Sequence, residues 1–220
     1  MSLRKGDRQL LIGLSVAAGL LYNSWPLGYW LNPAVSRTSL ASGLEAAGQP
    51  YNWVFIGGDI ASSVLAIVVC VMLWRRLARR QAAVLIRAAI ILVGLFAGGT
   101  IIDSLLPERC IPGFQRCASF TQDHTLLFHG IFSIGASVAL FMSLSVVWLR
   151  HRYNLLFNGV LLAYIVFAML SLGEAMLPGK FGNWSQHYYI TLCSVWLALI
   201  PYAFNLMSQQ QEAAHAHAKS

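Results

Sequence analysis

Charge is the first thing this chain lacks. Of its 220 residues only 10% are Asp, Glu, Lys or Arg, whereas 57% are hydrophobic, a balance outside the range of a soluble domain. Period-two alternation is missing from the apolar runs, which argues against a β-barrel. No Gly-Lys phosphate-binding loop occurs, so nucleotide chemistry is not indicated. No internal repeat is evident either. Cysteines number four, and acidic residues only eight against fifteen Lys and Arg.

What is present is a series of apolar runs of about 20 residues, each long enough for a helix to cross a bilayer. They predict an all-α membrane protein, a bundle of six transmembrane helices over about 9–30, 53–74, 82–106, 123–149, 154–177 and 185–206. These form a single transmembrane domain, 1–208, followed by a disordered polar tail, 209–220. Residues 31–52 read as a polar connection with a short interfacial helix over 38–47, and Pro201 as a bend in the last span. Gly94 and Gly98 have the spacing that lets helices approach closely.

A net charge of +7 could point to nucleic acid, but its distribution argues otherwise. Arg4, Lys5 and Arg8 start the chain, Arg75, Arg76, Arg79 and Arg80 share one connection, and Arg150 and Arg152 another. This is the positive-inside pattern, and it makes the lipid bilayer the expected partner, with no nucleic acid. Six spans then put both termini in the cytoplasm and leave Arg37, Arg109, Arg116 and Lys180 outside.

Ionisable residues within spans are costly, of order 2.5–3.5 kcal/mol at the centre on insertion scales, so each needs a reason. At a rise of about 1.5 Å per residue, Asp59, Asp103, His124, His129, Glu174 and His187 all fall in the outer third. Asp59, Ser62 and Ser63 share a helix face, and Thr125, His129, Ser133 and Ser137 form a stripe on another. Gly58, Gly98, Gly99 and Gly130 flank these positions and allow backbones to come close. The expectation is an outward-facing polar pocket. Asp59, Asp103 and Glu174 are its candidate catalytic acids, and His124, His129 and His187 its candidate ligands for a zinc ion. Asp123 has an alternative role as a helix cap. Cys110 and Cys117 enclose Pro112-Gly113, a turn that would bring them together. In an oxidising compartment they are expected to form a disulfide, worth roughly 2.5 kcal/mol in the chain-entropy account.

The run Ile102-Asp103-Ser104-Leu105-Leu106-Pro107, with Cys110, Cys117, His124 and His129 after it, resembles the bacterial multi-pass family catalogued as domain of unknown function 998. That resemblance implies a location in the bacterial inner membrane and no established activity. A second resemblance, to the superfamily of membrane hydrolases that includes alkaline ceramidases, implies a zinc held by three His with an Asp and a Ser. Ser62 or Ser63, Asp59 or Asp103, and His124, His129 and His187 supply those types. Six spans in place of seven, and no H-x-x-x-H pair, prevent transfer of that mechanism.

Two functions follow as expectations. The first is a metal-dependent hydrolase or transferase acting on a lipid or lipid-linked substrate, with a metal-bound water as the attacking group. The second is a non-enzymatic membrane protein, a small-molecule or proton-coupled carrier or an assembly partner, whose polar cluster is structural.

Overall fold

A computed structural model describes residues 5–38, 40–78, 84–109, 124–177 and 184–217. Among them all regular structure is helical. The helices are α1 (Lys5–Tyr22), α2 (Gly28–Leu31), α3 (Pro33–Thr38), α4 (Asn52–Ala78), α5 (Val84–Ser104), α6 (His124–Arg150), α7 (Leu155–Met176) and α8 (Trp184–His217), with 3-10 turns at Trp25–Leu27 and Ala41–Leu44. Among the described residues six segments are long and apolar enough to span a membrane: Gly6–Leu31, Asn52–Arg76, Val84–Ser104, Leu127–Arg150, Leu155–Glu174 and Trp184–Met207. The six-helix bundle expected from the apolar runs is the observed architecture. Helix α8 passes through Pro201 and continues to His217, across most of the stretch expected as a tail.

The six long helices pack in chain order, α4 on α1, α5 on α4, α6 on α5, α7 on α6 and α8 on α7, and α8 closes on α1. Aliphatic and aromatic side chains fill the interior, among them Val93, Phe96, Leu140, Leu144, Phe157, Trp196 and Ile200, all buried. Leu95, Leu162 and Met169 stay exposed, as lipid-facing residues must. One end of the bundle carries Arg75, Arg76 and Arg150, where Arg76 meets Asp7 at 3.2 Å. The other carries the connection from Asn23 to Tyr51 and the segment Leu105 to Arg109.

The first of those connections is a packed cap. Val35, Leu44, Ala46 and Phe55 form a small buried cluster, with Trp25 and Leu31 against it. Its helix falls at Pro33–Thr38, earlier than expected, because Pro33 presets the first turn of a helix. The segment 41–44 is a 3-10 turn that leads into Glu45. The Ala47 amide donates to the Glu108 carbonyl at 2.7 Å, and the Ser42 amide to Gln186 Oε1 at 3.2 Å. The cap is thereby tied to the segment after α5 and to α8.

Close helix approach uses glycines other than the pair the spacing indicated. A Cβ on Gly94 or Gly98 would meet nothing within 4 Å, whereas one on Gly99 would lie 3.1 Å from Ala136 Cβ, on α6. At Gly19 it would lie 2.5 Å from the Ser194 carbonyl oxygen of α8, a backbone atom that only a helix shift can move. Gly19→Ala is therefore expected to destabilise by about 1–3 kcal/mol. Gly13→Ala meets nothing within 4 Å and should gain stability through helix propensity, up to about 1 kcal/mol. Thermal melts of both variants in detergent test the pair. A loss at both positions would mean that the α1–α8 contact does not set the cost.

Candidate functional site

Helix α5 ends at Ser104, and Asp103 in its last turn faces α6. There His129 and Ser133, four residues apart, share one face. His129 Nδ1 lies 2.9 Å from Asp103 Oδ1, and Ser133 hydrogen-bonds the same carboxylate. The His129–Asp103 contact has the length of an ion pair without hydrogen-bond alignment, since neither atom has an aligned partner. Across the ring, Nε2 lies 3.4 Å from Glu108 Oε1. Gly99, one turn from Asp103, lets α5 and α6 come close enough for these contacts.

Glu108 is held over the histidine because its carbonyl receives the Ala47 amide. Burial raises the pKa of its carboxyl, the neighbouring Asp103 charge adds to the rise, and His129 opposes it. From the cap, Glu45 reaches Asp59 on α4 and shares a hydrogen bond with it. Burial pushes Glu45 from its ordinary 4.5 up to about 7, and the charge of Asp103 adds to the rise. Glu45 and Asp59 are enclosed by protein but keep part of their surface accessible to a water-sized sphere. Two carboxyl groups can share a hydrogen bond only if one proton lies between them.

The result is a cluster of four carboxyls, termed the acid chamber below: Asp103, Glu108 and Glu45 lie near the His129 imidazole, and Asp59 joins through Glu45. Asp59, Asp103 and His129 come together as their depth along the helices predicts. Glu45 and Glu108 were not read as site residues. Both lie in connections, where residues carry no helical period, and the one available signal was that acids are scarce in this chain. His124 is exposed, while His129, five residues on and about 140° around the helix, is buried. His187 is buried beneath Trp25, ring centroids 4.7 Å apart, in a part of the cap where Trp25 Nε1 donates to Thr191 Oγ1 at 3.1 Å. Glu174 is buried at the end of α7. The three histidines do not form one group, and among the described residues no set of three His, Cys, Asp or Glu is arranged to hold a metal ion. Cys110 and Cys117 lie outside the described residues, as does Asp123.

Deeper in the bundle lies a second polar group. Tyr164 donates to the Ser137 carbonyl at 2.8 Å, so its 2.6 Å contact with Tyr189 must have Tyr189 as donor. The Ser137 side chain also bonds Tyr189, and the Cys193 thiol bonds both tyrosines. Deeper still, Leu140, Leu144 and Trp196 fill the interior.

The sequence profile of a family described as "Protein of unknown function (DUF998)" matches residues 15–207. No curated protein and no solved structure matches the chain.

Proposed function

The chain belongs to the DUF998 family of proteins of unknown function, and we propose that it is a non-enzymatic multi-pass membrane protein whose acid chamber binds protons from one side only. The positive-inside distribution of its arginines supports an outward-facing chamber. The observation that carries the reading is a carboxyl pair, Glu45 and Asp59, sharing a hydrogen bond next to an imidazole with a carboxylate at each ring nitrogen. Both ring nitrogens of His129 thus face carboxylates rather than open space, which favours this reading over a zinc-dependent hydrolase or transferase. Proton binding of this kind suits a carrier that uses a proton gradient, or a protein that reports external pH to a partner.

Infrared difference spectroscopy on oriented proteoliposomes tests the proposal. A pH step on the chamber side is expected to change a carboxylic-acid C=O band that is absent in Glu45→Gln and altered in Asp59→Asn. The same step on the opposite side should leave it unchanged. A band that follows either side equally, or no such band, would overturn the reading. Near-stoichiometric zinc in purified protein, lost in His129→Ala, would replace it with the metal-dependent one.

A further inference from the structure

One buried hydroxyl beneath the chamber has no part in the proton site so far. Ser63 lies one turn below Asp59 on the same face of α4, four residues on. Its side chain leans toward the helix N-terminus, as helical side chains do, and that end of α4 is the chamber end. Its Oγ is fully buried and finds no hydrogen-bond partner among the described residues. The neighbouring Ser62 is different, since its hydroxyl donates to the Ala18 carbonyl at 2.8 Å. An unpaired buried hydroxyl is costly, and its presence in a native fold calls for an explanation.

We infer that the corner formed by Glu45, Asp59 and Ser63 is a binding site for a primary ammonium group, which takes the place of the proton shared by the two carboxyls. The inference rests on the reading of the chamber as a proton site and names its ligand. A primary ammonium has three N–H donors, and the two carboxyls and the hydroxyl offer one oxygen acceptor for each. The exchange conserves charge: the ammonium enters with one positive charge, and the shared proton leaves to water. Asp103 and Glu108 add two further acidic groups to the surroundings, with a single imidazole between them. A metal cation fits less well, since among the described residues no three-member ligand group is arranged for one. Separate N–H donors need only one acceptor each.

Titration calorimetry of the detergent-purified full chain with methylammonium, tetramethylammonium and sodium tests this. Methylammonium is expected to bind with release of about one proton, read from the dependence of the heat on the buffer. Tetramethylammonium has no N–H donor and is expected not to bind, and sodium should bind more weakly than methylammonium. Ser63→Ala should weaken methylammonium about tenfold, the scale of one hydrogen bond to a charged group. Equal binding of methylammonium and tetramethylammonium, or an unchanged affinity in Ser63→Ala, would overturn the inference. A measurement on the unmodified chain does not depend on how the variant folds: methylammonium should abolish the shared-proton infrared band. A band that is present but insensitive to methylammonium defeats the ammonium site alone, and a missing band defeats the proton site with it.

Discussion

Replacing His129 by alanine is expected to destabilise the protein by about 3–5 kcal/mol, the scale of breaking a buried ion pair from one side. The imidazole separates Asp103 from Glu108, with contacts of 2.9 and 3.4 Å, and its side chain is only 7% exposed. Without it two buried carboxylates face each other with no cation between them. The loss should therefore come less from the missing contact than from the charges left behind. The triple variant His129→Ala, Asp103→Asn, Glu108→Gln removes those charges and is expected to regain most of the stability. Unfolding half-lives at fixed temperature in detergent are the appropriate measure if melting is irreversible. A His129→Ala loss below about 1 kcal/mol, the worth of a surface pair, would mean that the ring is not clamped. Failure of the triple variant to recover would mean that packing, not charge, sets the loss.

That prediction depends on residues of two kinds, and they differ in how legible they were. Asp59, Asp103 and His129 stood out because an ionisable residue in an apolar run is conspicuous, and a constant helical rise converts sequence position into depth. The spans themselves were legible for the same reason: the apolar membrane-length segments fall within a few residues of the expected limits, although α1 stops at Tyr22 and α8 runs on to His217. Glu45 and Glu108 were not, because depth arithmetic fails where the chain is not helical. What places them is the folding of the first connection over the bundle, through Phe55, Val35 and Leu44 and the Ala47–Glu108 backbone bond. Nothing in a polar connection announces that its few apolar residues will form a core. The glycines show the same limit. Gly94 and Gly98 have the expected spacing, but the contact with α6 runs through Gly99, because which face meets a neighbour is a property of the bundle. His124, His129 and His187 looked like one ligand set on residue type and depth. Their directions around the helices, which depth does not include, send them to three different places.

Between about pH 4.5 and 7 the protein is expected to lose stability as pH rises, and Glu45→Gln should remove most of that dependence. The sign follows from proton counts. Burial raises Glu45 from 4.5 to about 7, so through this window the folded state binds more protons than the unfolded one, and stability falls with pH. The favourable contribution is fully present below about 4.5 and lost as pH passes about 7. A shift of this size corresponds to about 3 kcal/mol at most, at 1.36 kcal/mol per pH unit. The partial contact of Glu45 with water reduces that figure. Glu108, also raised by burial, acts in the same direction. His151 at the other end of the bundle acts oppositely, because burial and the adjacent Arg150 lower its pKa, so its contribution grows as pH rises. The comparison is therefore the difference between the parent protein and Glu45→Gln at each pH, in which His151 cancels. The variant should nearly match the parent at pH 4.5 and exceed it at pH 8, where an ionised Glu45 next to Asp59 is unfavourable. A difference that does not vary with pH would show that Glu45 titrates like a surface carboxylate. The Glu45–Asp59 pair could then hold no proton, and neither the one-sided proton site nor its exchange for an ammonium group would survive.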